Sequence, residues 1–143
     1  MSADISLSGR LAFDSSVLVE IFNDSPVGRA VFTGLQEPEV YAFTSWVNLA
    51  EASYIVCRRI GNEKALAARD DMMASGFIDP VEDVRVNAVA SGLKCGRAIS
   101  LADCYTFAVA NVTGSVPVFA KEEAELTREM KKRQFEPPPM FLS

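Results

Sequence analysis

Short apolar runs alternate with longer segments in which apolar residues recur every three or four positions. The short runs predict strands at residues 11–13, 40–43, 77–78 and 116–119. The spaced segments predict helices. These are 15–22, a short helix reaching about 35, 45–59, 62–74, 81–93, 100–111 and 122 to about 132, with Ser45, Asn62 and Ser100 as expected N-caps.

Strands and helices alternate along the whole chain, and this order predicts an α/β domain with a mainly parallel sheet and helices on both faces. The length of 143 residues suits one domain covering residues 1–143. An irregular tail is expected from about 135 to 143. The prolines at 137–139 leave room there for an edge strand but not for regular central pairing.

The residue composition narrows the chemistry. There is no histidine, which excludes Ser-His-Asp triads, Cys-His pairs and His-ligated zinc. Any metal must then be held by oxygen, which favours Mg²⁺, Mn²⁺ or Ca²⁺. The net charge of −5 argues against a passive nucleic-acid binder but permits an enzyme that meets phosphate through a bound cation.

The same composition predicts a cytoplasmic protein. No apolar run has the length of a membrane span, and the N-terminal residues lack the pattern of a signal peptide. The three cysteines are Cys57, Cys95 and Cys104, and they form no CxxC pair. An odd number of scattered cysteines fits a reducing compartment.

Asp103 is the only charged residue in the run ISLADCYTFAVA, residues 99–110. No lysine or arginine lies within four positions of it. A buried carboxylate is costly unless it is paired or binds a metal, so the partner must come from elsewhere in the fold or from solution. The alternative is support of the helix start, because Asp103 follows Ser100 at the spacing of a capping box.

Three further acidic positions are candidates either for a metal ligand or for a purely structural role. Asp14 directly follows the first strand, where parallel α/β sheets bind ligands, but it also suits an N-cap. Glu51 lies in a largely apolar helix and shares one side of it with Asn48 and Arg58, so a solvated polar stripe is the alternative. Glu122 and its neighbour Glu123 open the last helix, where acidic residues are common. If these carboxylates converge, a divalent cation would relieve their repulsion.

Three stretches of the chain, FDSSVLVEIF, SWVNLAEASYIV and ISLADCYTFAVANVTGSVPVFAKEEAEL, resemble the PIN domain of VapC-type toxins. The resemblance covers roughly residues 11–126, and S-L-A-D-x-Y is its most specific part. It implies a three-layer α/β/α PIN-like domain. It also implies an acidic quartet of Asp14, Glu51, Asp103 and Glu122 that binds Mg²⁺ or Mn²⁺ and carries catalysis, with Ser15 matching the small hydroxyl residue after the first aspartate.

The fourth position departs from the family's pattern. VapC-type toxins often carry Thr-x-Asp there, whereas this chain reads Ala120-Lys121-Glu122, and Glu123 is the alternative ligand. The expected RNA contacts of the chain are Ser15, Asn48 and Arg58.

The resemblance implies an endoribonuclease that hydrolyses RNA phosphodiester bonds as the toxin of a toxin–antitoxin pair. An antitoxin protein is then the expected partner, and homodimers are common in the family. Exposed apolar patches often mark interfaces, and the first two helices offer a candidate stripe for a homodimer. Its residues are Val17, Ile21, Val27, Val31 and Phe32.

Other functions remain open at this stage. A catalytically weak PIN-like module that binds or regulates a partner protein would keep the same carboxylates. A phosphoaspartyl receiver also carries an aspartate at a strand end and a late lysine, which Lys121 would match, but it needs an acidic pair early in the chain. A haloacid-dehalogenase-type phosphatase requires Asp-x-Asp, whereas here Ser16 is the second residue after Asp14.

Overall fold

The structure is a computed structural model that describes residues 5–143. The first four residues of the predicted 1–143 domain lie outside this part of the chain. The described residues form seven helices and five strands. In chain order these are β1 (Gly9–Phe13), α1 (Ser15–Phe22), α2 (Pro26–Gly34), β2 (Val40–Thr44), α3 (Trp46–Ile60), α4 (Asn62–Ser75), β3 (Ile78–Pro80), α5 (Val84–Gly96), α6 (Leu101–Thr113), β4 (Val116–Phe119), α7 (Ala124–Lys132) and β5 (Met140–Phe141).

The five strands form one parallel sheet in the order β3-β2-β1-β4-β5, with β1 at its centre. Successive side chains of a strand point to opposite faces. Leu11 and Phe13 therefore pack into a core with α1 to α4, whereas Ala12 packs into a second core with α5, α6 and α7. The predicted three-layer α/β/α arrangement is confirmed.

Polar side chains fix the starts of the helices at the exit edge of the sheet. The hydroxyl groups of Ser45 and Ser100 accept hydrogen bonds from the third residue of α3 and α6, as predicted for N-caps. The predicted cap at Asn62 is wrong, because Gly61 occupies the cap position and Asn62 is already helical. α7 begins at Ala124 rather than at 122, which leaves Glu123 at its cap position.

The C-terminal tail contains a short edge strand, in the position that the sequence left open for one. β5 pairs in parallel with β4 after the three prolines, at the edge of the sheet. The buried guanidinium of Arg97 holds the approach to it by donating to the carbonyls of Arg133 (2.6 Å) and Gln134 (2.9 Å). The same group lies 4.0 Å above the ring of Phe135. These contacts fix the chain between α7 and β5.

The first two helices differ from the predicted exposed stripe. Val17 and Val31 are wholly buried, because α1 and α2 turn them towards the sheet. Ile21, Val27 and Phe32 remain half-buried at the surface. Among residues 5–143, no helix is both long and apolar enough to cross a bilayer.

Candidate active site

Asp14 lies at the exit of the central strand and is 3% exposed. It caps α1, since its Oδ2 accepts from the Ser16 N–H at 3.0 Å, and its Oδ1 accepts from the Thr106 hydroxyl at 2.7 Å. Burial raises the pKa of its carboxyl above the usual value, although these hydrogen bonds lower it in part. Asp14 is thus both a cap and a buried carboxylate at the edge where parallel sheets bind ligands.

Asp103 lies in the first turn of α6 and is 6% exposed. Its N–H donates to the Ser100 hydroxyl at 3.1 Å, so Ser100 provides the cap. Burial, followed by the negative charges of Asp14, Glu123 and Glu51, raises the pKa of the Asp103 carboxyl to about 8. Four carboxylates from distant parts of the sequence therefore interact electrostatically at this edge of the sheet.

Glu123 stands at the start of α7 and faces the same site. Carboxylate oxygens of Asp103, Glu123 and Glu125 lie within 4.8 Å of one another. Burial and then the charges of Asp14, Glu125 and Glu51 raise the pKa of Glu123, while Lys121 lowers it in part. The fold thus brings two acidic residues of this segment to Asp103, the half-buried Glu123 and the exposed Glu125.

Glu122, the predicted fourth residue of the quartet, lies outside this group. It is exposed, and its Oε1 accepts a hydrogen bond of 2.8 Å from the Thr127 hydroxyl. Because α7 begins only at Ala124, adjacent side chains in the extended approach point in different directions. The side chain of Glu123 therefore points towards the other carboxylates, and that of Glu122 points away from them.

Glu51 projects from the second turn of α3 and is half-buried. Its negative charge contributes to the raised pKa values of both Asp103 and Glu123. The acidic cluster of this site is hereafter the set Asp14, Glu51, Asp103 and Glu123. Two helices, α3 and α6, contribute Glu51 and Asp103, while Asp14 and Glu123 stand at the caps of α1 and α7.

A buried polar network joins the helices that carry the cluster. Asn48 is completely buried, and its Nδ2 donates to the Ser15 hydroxyl (3.0 Å), the Ala102 carbonyl (3.1 Å) and the Thr106 hydroxyl (3.1 Å). Its Oδ1 accepts from the Ser45 hydroxyl at 2.6 Å. One amide therefore connects the first turns of α1, α3 and α6.

This network corrects the role expected for two residues. Asn48 and Ser15 were expected at the RNA surface, but both are buried with their polar atoms engaged inside the protein. They set the relative positions of the helices instead. Thr106 was missed. The only indication in the sequence was a hydroxyl in an apolar run, three residues after Asp103 and thus on the same side of α6.

Arg58 is exposed, with its guanidinium 5.0 Å from the ring centre of Tyr54. It lies seven residues beyond Glu51, about 10 Å further along the axis of α3. The fold does not bring Arg58 into the acidic cluster, and its contact with RNA stays a prediction.

The donor set of the acidic cluster fits a divalent cation with a preference for oxygen. Two of its carboxyl groups are buried, and mutual repulsion contributes to the raised pKa values of Asp103 and Glu123. Carboxylate oxygens are the ligands that Mg²⁺ and Mn²⁺ take in proteins. A cation held by these residues would relieve the electrostatic repulsion among their carboxylates.

Comparisons with known proteins identify the family and the fold. The family model of the PIN domain matches residues 11–126. Among solved structures, VapC20 from Mycobacterium tuberculosis, described as a toxin that cleaves the sarcin–ricin loop, is 20% identical with a TM-score of 0.60, covering 84% of this chain and 94% of its own. The DNA-bound VapBC of Salmonella typhimurium is 15% identical with a TM-score of 0.65, covering 96% of this chain and 100% of that one.

VapBC2 from Rickettsia felis, bound to a promoter DNA fragment, is 15% identical with a TM-score of 0.59, covering 84% of this chain and 92% of that one. At these identities the likeness to the solved structures is one of fold. No significant match is found among curated proteins.

Proposed function

The chain belongs to the PIN domain family, and from this premise we propose that it is a Mg²⁺- or Mn²⁺-dependent endoribonuclease, the toxin of a toxin–antitoxin pair. The observation that carries the proposal is the burial of Asp14 and Asp103 together at the exit edge of the sheet. Burial, and then the negative charges of Asp14, Glu123 and Glu51, raises the pKa of Asp103 to about 8, and a cation bound among these carboxylates would relieve their repulsion. Hydrolysis of a phosphodiester is the reaction that this site supports best.

Asp14, Glu51, Asp103 and Glu123 are the residues that would hold the metal. When bound, Mg²⁺ or Mn²⁺ supplies positive charge to the phosphate oxygens and makes a coordinated water more acidic. The buried pair Asp14 and Asp103 provides fixed ligands, because hydrogen bonds from Ser16 and Thr106 orient the Asp14 carboxylate. Glu123 is half-buried and has a raised pKa, which suits a group that orients water and accepts its proton.

An antitoxin protein is the partner that we propose for this site. The solved VapBC structures of Salmonella typhimurium and Rickettsia felis are described as complexes bound to DNA, and the proposal transfers a protein partner of that kind to this chain. A homodimer is a separate proposal. Its interface would use the half-buried Ile21, Val27 and Phe32 of α1 and α2, and light scattering at high protein concentration tests it: a monomer mass would refute it.

The protein is proposed to act in the cytoplasm. Cys57, Cys95 and Cys104 are free thiols, which supports a reducing compartment.

Cleavage of RNA by the purified chain tests the proposed function. The substrates are a pool of single-stranded and hairpin RNAs, including a sarcin–ricin loop hairpin, with Mn²⁺ or with EDTA. We expect cleavage with Mn²⁺, none with EDTA, and none by Asp14→Asn or Asp103→Asn proteins whose circular dichroism remains native. Glu39→Gln is the matched control, because this exposed carboxylate lies beside the opposite end of β2.

Two outcomes would contradict the proposal. Persistent cleavage by the Asp14→Asn/Asp103→Asn double variant would show that this site does not carry the activity. Metal binding without cleavage of any RNA would favour the second function, a catalytically weak PIN-like module that binds or regulates a partner protein.

A further inference from the structure

Trp46 is the single tryptophan of the chain and the first residue of α3. Its side chain is 47% exposed, although indole is among the largest apolar groups. The indole Nε1 donates a 3.2 Å hydrogen bond to Oε1 of Glu82, which precedes α5. The ring is therefore held at one edge while about half of its residue surface stays in water.

The register of the sheet places the backbone of Trp46 at the same edge as Asp14, one residue beyond the position level with it. Ala12 of β1 pairs with Phe43 of β2, so Asp14 is level with Ser45, and Trp46 is the next residue. Neighbouring strands are about 4.8 Å apart. The hydroxyl of Thr44, which bonds the Phe13 carbonyl at 3.0 Å, keeps the two strand ends together.

A second exposed apolar residue flanks the cluster from α6. Asn48 of α3 donates to the carbonyl of Ala102, which joins the first turns of α3 and α6. Leu101, the first residue of α6, is 50% exposed and lies two residues before Asp103. Trp46 and Leu101 thus expose apolar surface at the same edge of the sheet as the acidic cluster.

The charge of the protein indicates what this surface receives. The net charge is −5, the cluster is acidic, and Glu82 adds a further carboxylate beside the indole. RNA phosphates gain little from such a field, so affinity for a substrate strand needs another source. Stacking of a base on an aromatic ring requires no charge and contributes roughly 5- to 150-fold in affinity per base.

Tyr54 is the comparable exposed aromatic residue of α3, at 48% exposure. The Arg58 guanidinium lies over its ring, 5.0 Å from the ring centre, and Tyr54 is eight residues, about 12 Å of helix axis, beyond Trp46. Trp46 instead bonds through its edge, which leaves its faces free of that contact.

We propose that Trp46 stacks on an unpaired base of the RNA substrate and so positions the adjoining phosphodiester at the acidic cluster, with Leu101 as the neighbouring apolar contact. The proposal rests on the proposed ribonuclease function and extends it to the substrate class. Bases inside a duplex are already stacked on both sides, so the substrate is single-stranded RNA or an RNA loop.

Intrinsic fluorescence gives a direct test, because Trp46 is the only tryptophan. The Asp103→Asn protein, which is expected not to cleave, is titrated with a single-stranded oligoribonucleotide and with the blunt duplex of the same sequence. We expect saturable quenching by the single strand and little by the duplex. Equal quenching by both, or none by either, would overturn the proposal.

Steady-state kinetics separate stacking from a structural effect. We expect Trp46→Ala to raise KM for single-stranded RNA about tenfold or more with kcat within about threefold of the wild type. Trp46→Phe keeps an aromatic face but loses the bond to Glu82, and we expect it to restore KM to within about threefold. Tyr41→Ala is the matched control, because this exposed aromatic side chain lies towards the opposite end of β2, and it should leave both constants unchanged.

The results distinguish this inference from the proposed function. Wild-type cleavage with an unchanged KM in Trp46→Ala would overturn the stacking role and leave the ribonuclease intact, even if the variant failed to bind a protein partner. If the wild type cleaved no RNA, the fluorescence titration would decide alone: quenching by the single strand would retain the RNA contact, and its absence would remove it.

Discussion

The Thr106 hydroxyl donates a 2.7 Å hydrogen bond to Oδ1 of Asp14, joining two residues that are 92 positions apart in the sequence. The same hydroxyl accepts a hydrogen bond from the Asn48 amide at 3.1 Å. Because Ser16 occupies the other carboxylate oxygen, Asp14 has a fixed orientation at the strand end. The cluster is thus supported by buried neutral groups, which hold its carboxylates without neutralising them.

Replacement of Thr106 by valine should weaken metal binding, because valine keeps the shape of the side chain but lacks the hydroxyl. The hydroxyl lowers the pKa of Asp14, so its loss raises that pKa further and lets protons compete with the metal. An unpaired buried acceptor also costs about 1–3 kcal/mol of unfolding free energy. We expect a several-fold weaker Kd for Mn²⁺ in titration calorimetry at pH 7, with Thr106→Ser close to the wild type.

Thr113→Val is the control for this substitution. Its hydroxyl also lies on α6 and bonds the Val109 carbonyl at 2.7 Å, outside the acidic cluster. An equal loss of Mn²⁺ affinity in Thr113→Val would show that the effect comes from a general change in α6 and not from the lost hydrogen bond to Asp14.

The metal-free protein should lose stability as the pH rises towards 8. The pKa of Asp103 is about 8 in the folded protein and near the ordinary value of 3.8 in the unfolded chain, so the folded state holds more protons between these values. Its stabilising contribution is complete below pH 3.8 and is lost as the pH passes through 8. Melting in EDTA between pH 5 and pH 9 should show a falling Tm.

Asp103→Asn should flatten that pH dependence, because the titrating carboxyl is gone. The variant should also be more stable than the wild type at pH 9 in EDTA, since one like charge has been removed from the cluster. A wild-type Tm that rises from pH 6 to pH 9 would contradict the assigned pKa.

Mn²⁺ should stabilise the protein, and more strongly at pH 8 than at pH 6. Protons and metal compete for the same carboxylates. At a free Mn²⁺ concentration of 100 times Kd, binding adds about 2.7 kcal/mol, which corresponds to a rise in Tm of roughly 5–10 °C for a chain of this size. Differential scanning fluorimetry measures the rise, and EDTA should reverse it.

Two variants bracket the metal effect. Asp103→Asn should remove most of the rise in Tm, and Glu39→Gln should retain it because that carboxylate lies away from the cluster. A rise that survives in Asp103→Asn would place the metal elsewhere on the chain.

Glu123→Gln should reduce cleavage strongly, whereas Glu122→Gln should have little effect. The Glu123 carboxylate approaches Asp103, but Glu122 is exposed and hydrogen-bonded to Thr127. We expect a loss of kcat of at least tenfold for the first variant and less than about threefold for the second. Cleavage rates are measured on one RNA with variants whose circular dichroism is native. The reverse order of effects would contradict the assignment of Glu123 to the site.

The site could be anticipated from the sequence only as far as local rules apply. The apolar neighbours of Asp14 and of Asp103 predict that both residues are buried, and both are buried. The helical starts at Ser45 and Ser100 were equally predictable, since a serine cap acts on an N–H three residues away. These features depend on a few consecutive residues, so they can be predicted without knowledge of the fold.

Other features depended on which surfaces meet. The apolar spacing of α1 and α2 identified a stripe, but only the packed sheet decided that Val17 and Val31 face inward. Helical spacing alone places Asn48 on the same side of α3 as Glu51. Asn48 is buried only because α1 and α6 pack against that side and accept its hydrogen bonds.

The sequence by itself determined the alternation of strands and helices and the burial of two carboxylates, because apolar periodicity and capping are properties of neighbouring residues. Tertiary structure decided the partners of those carboxylates. Thr106 reached Asp14 through the crossing of α6 over β1, and Glu123 replaced Glu122 through the exact start of α7. A carboxylate's partners are set by distances of a few ångströms between segments, and such distances exist only once the layers have packed.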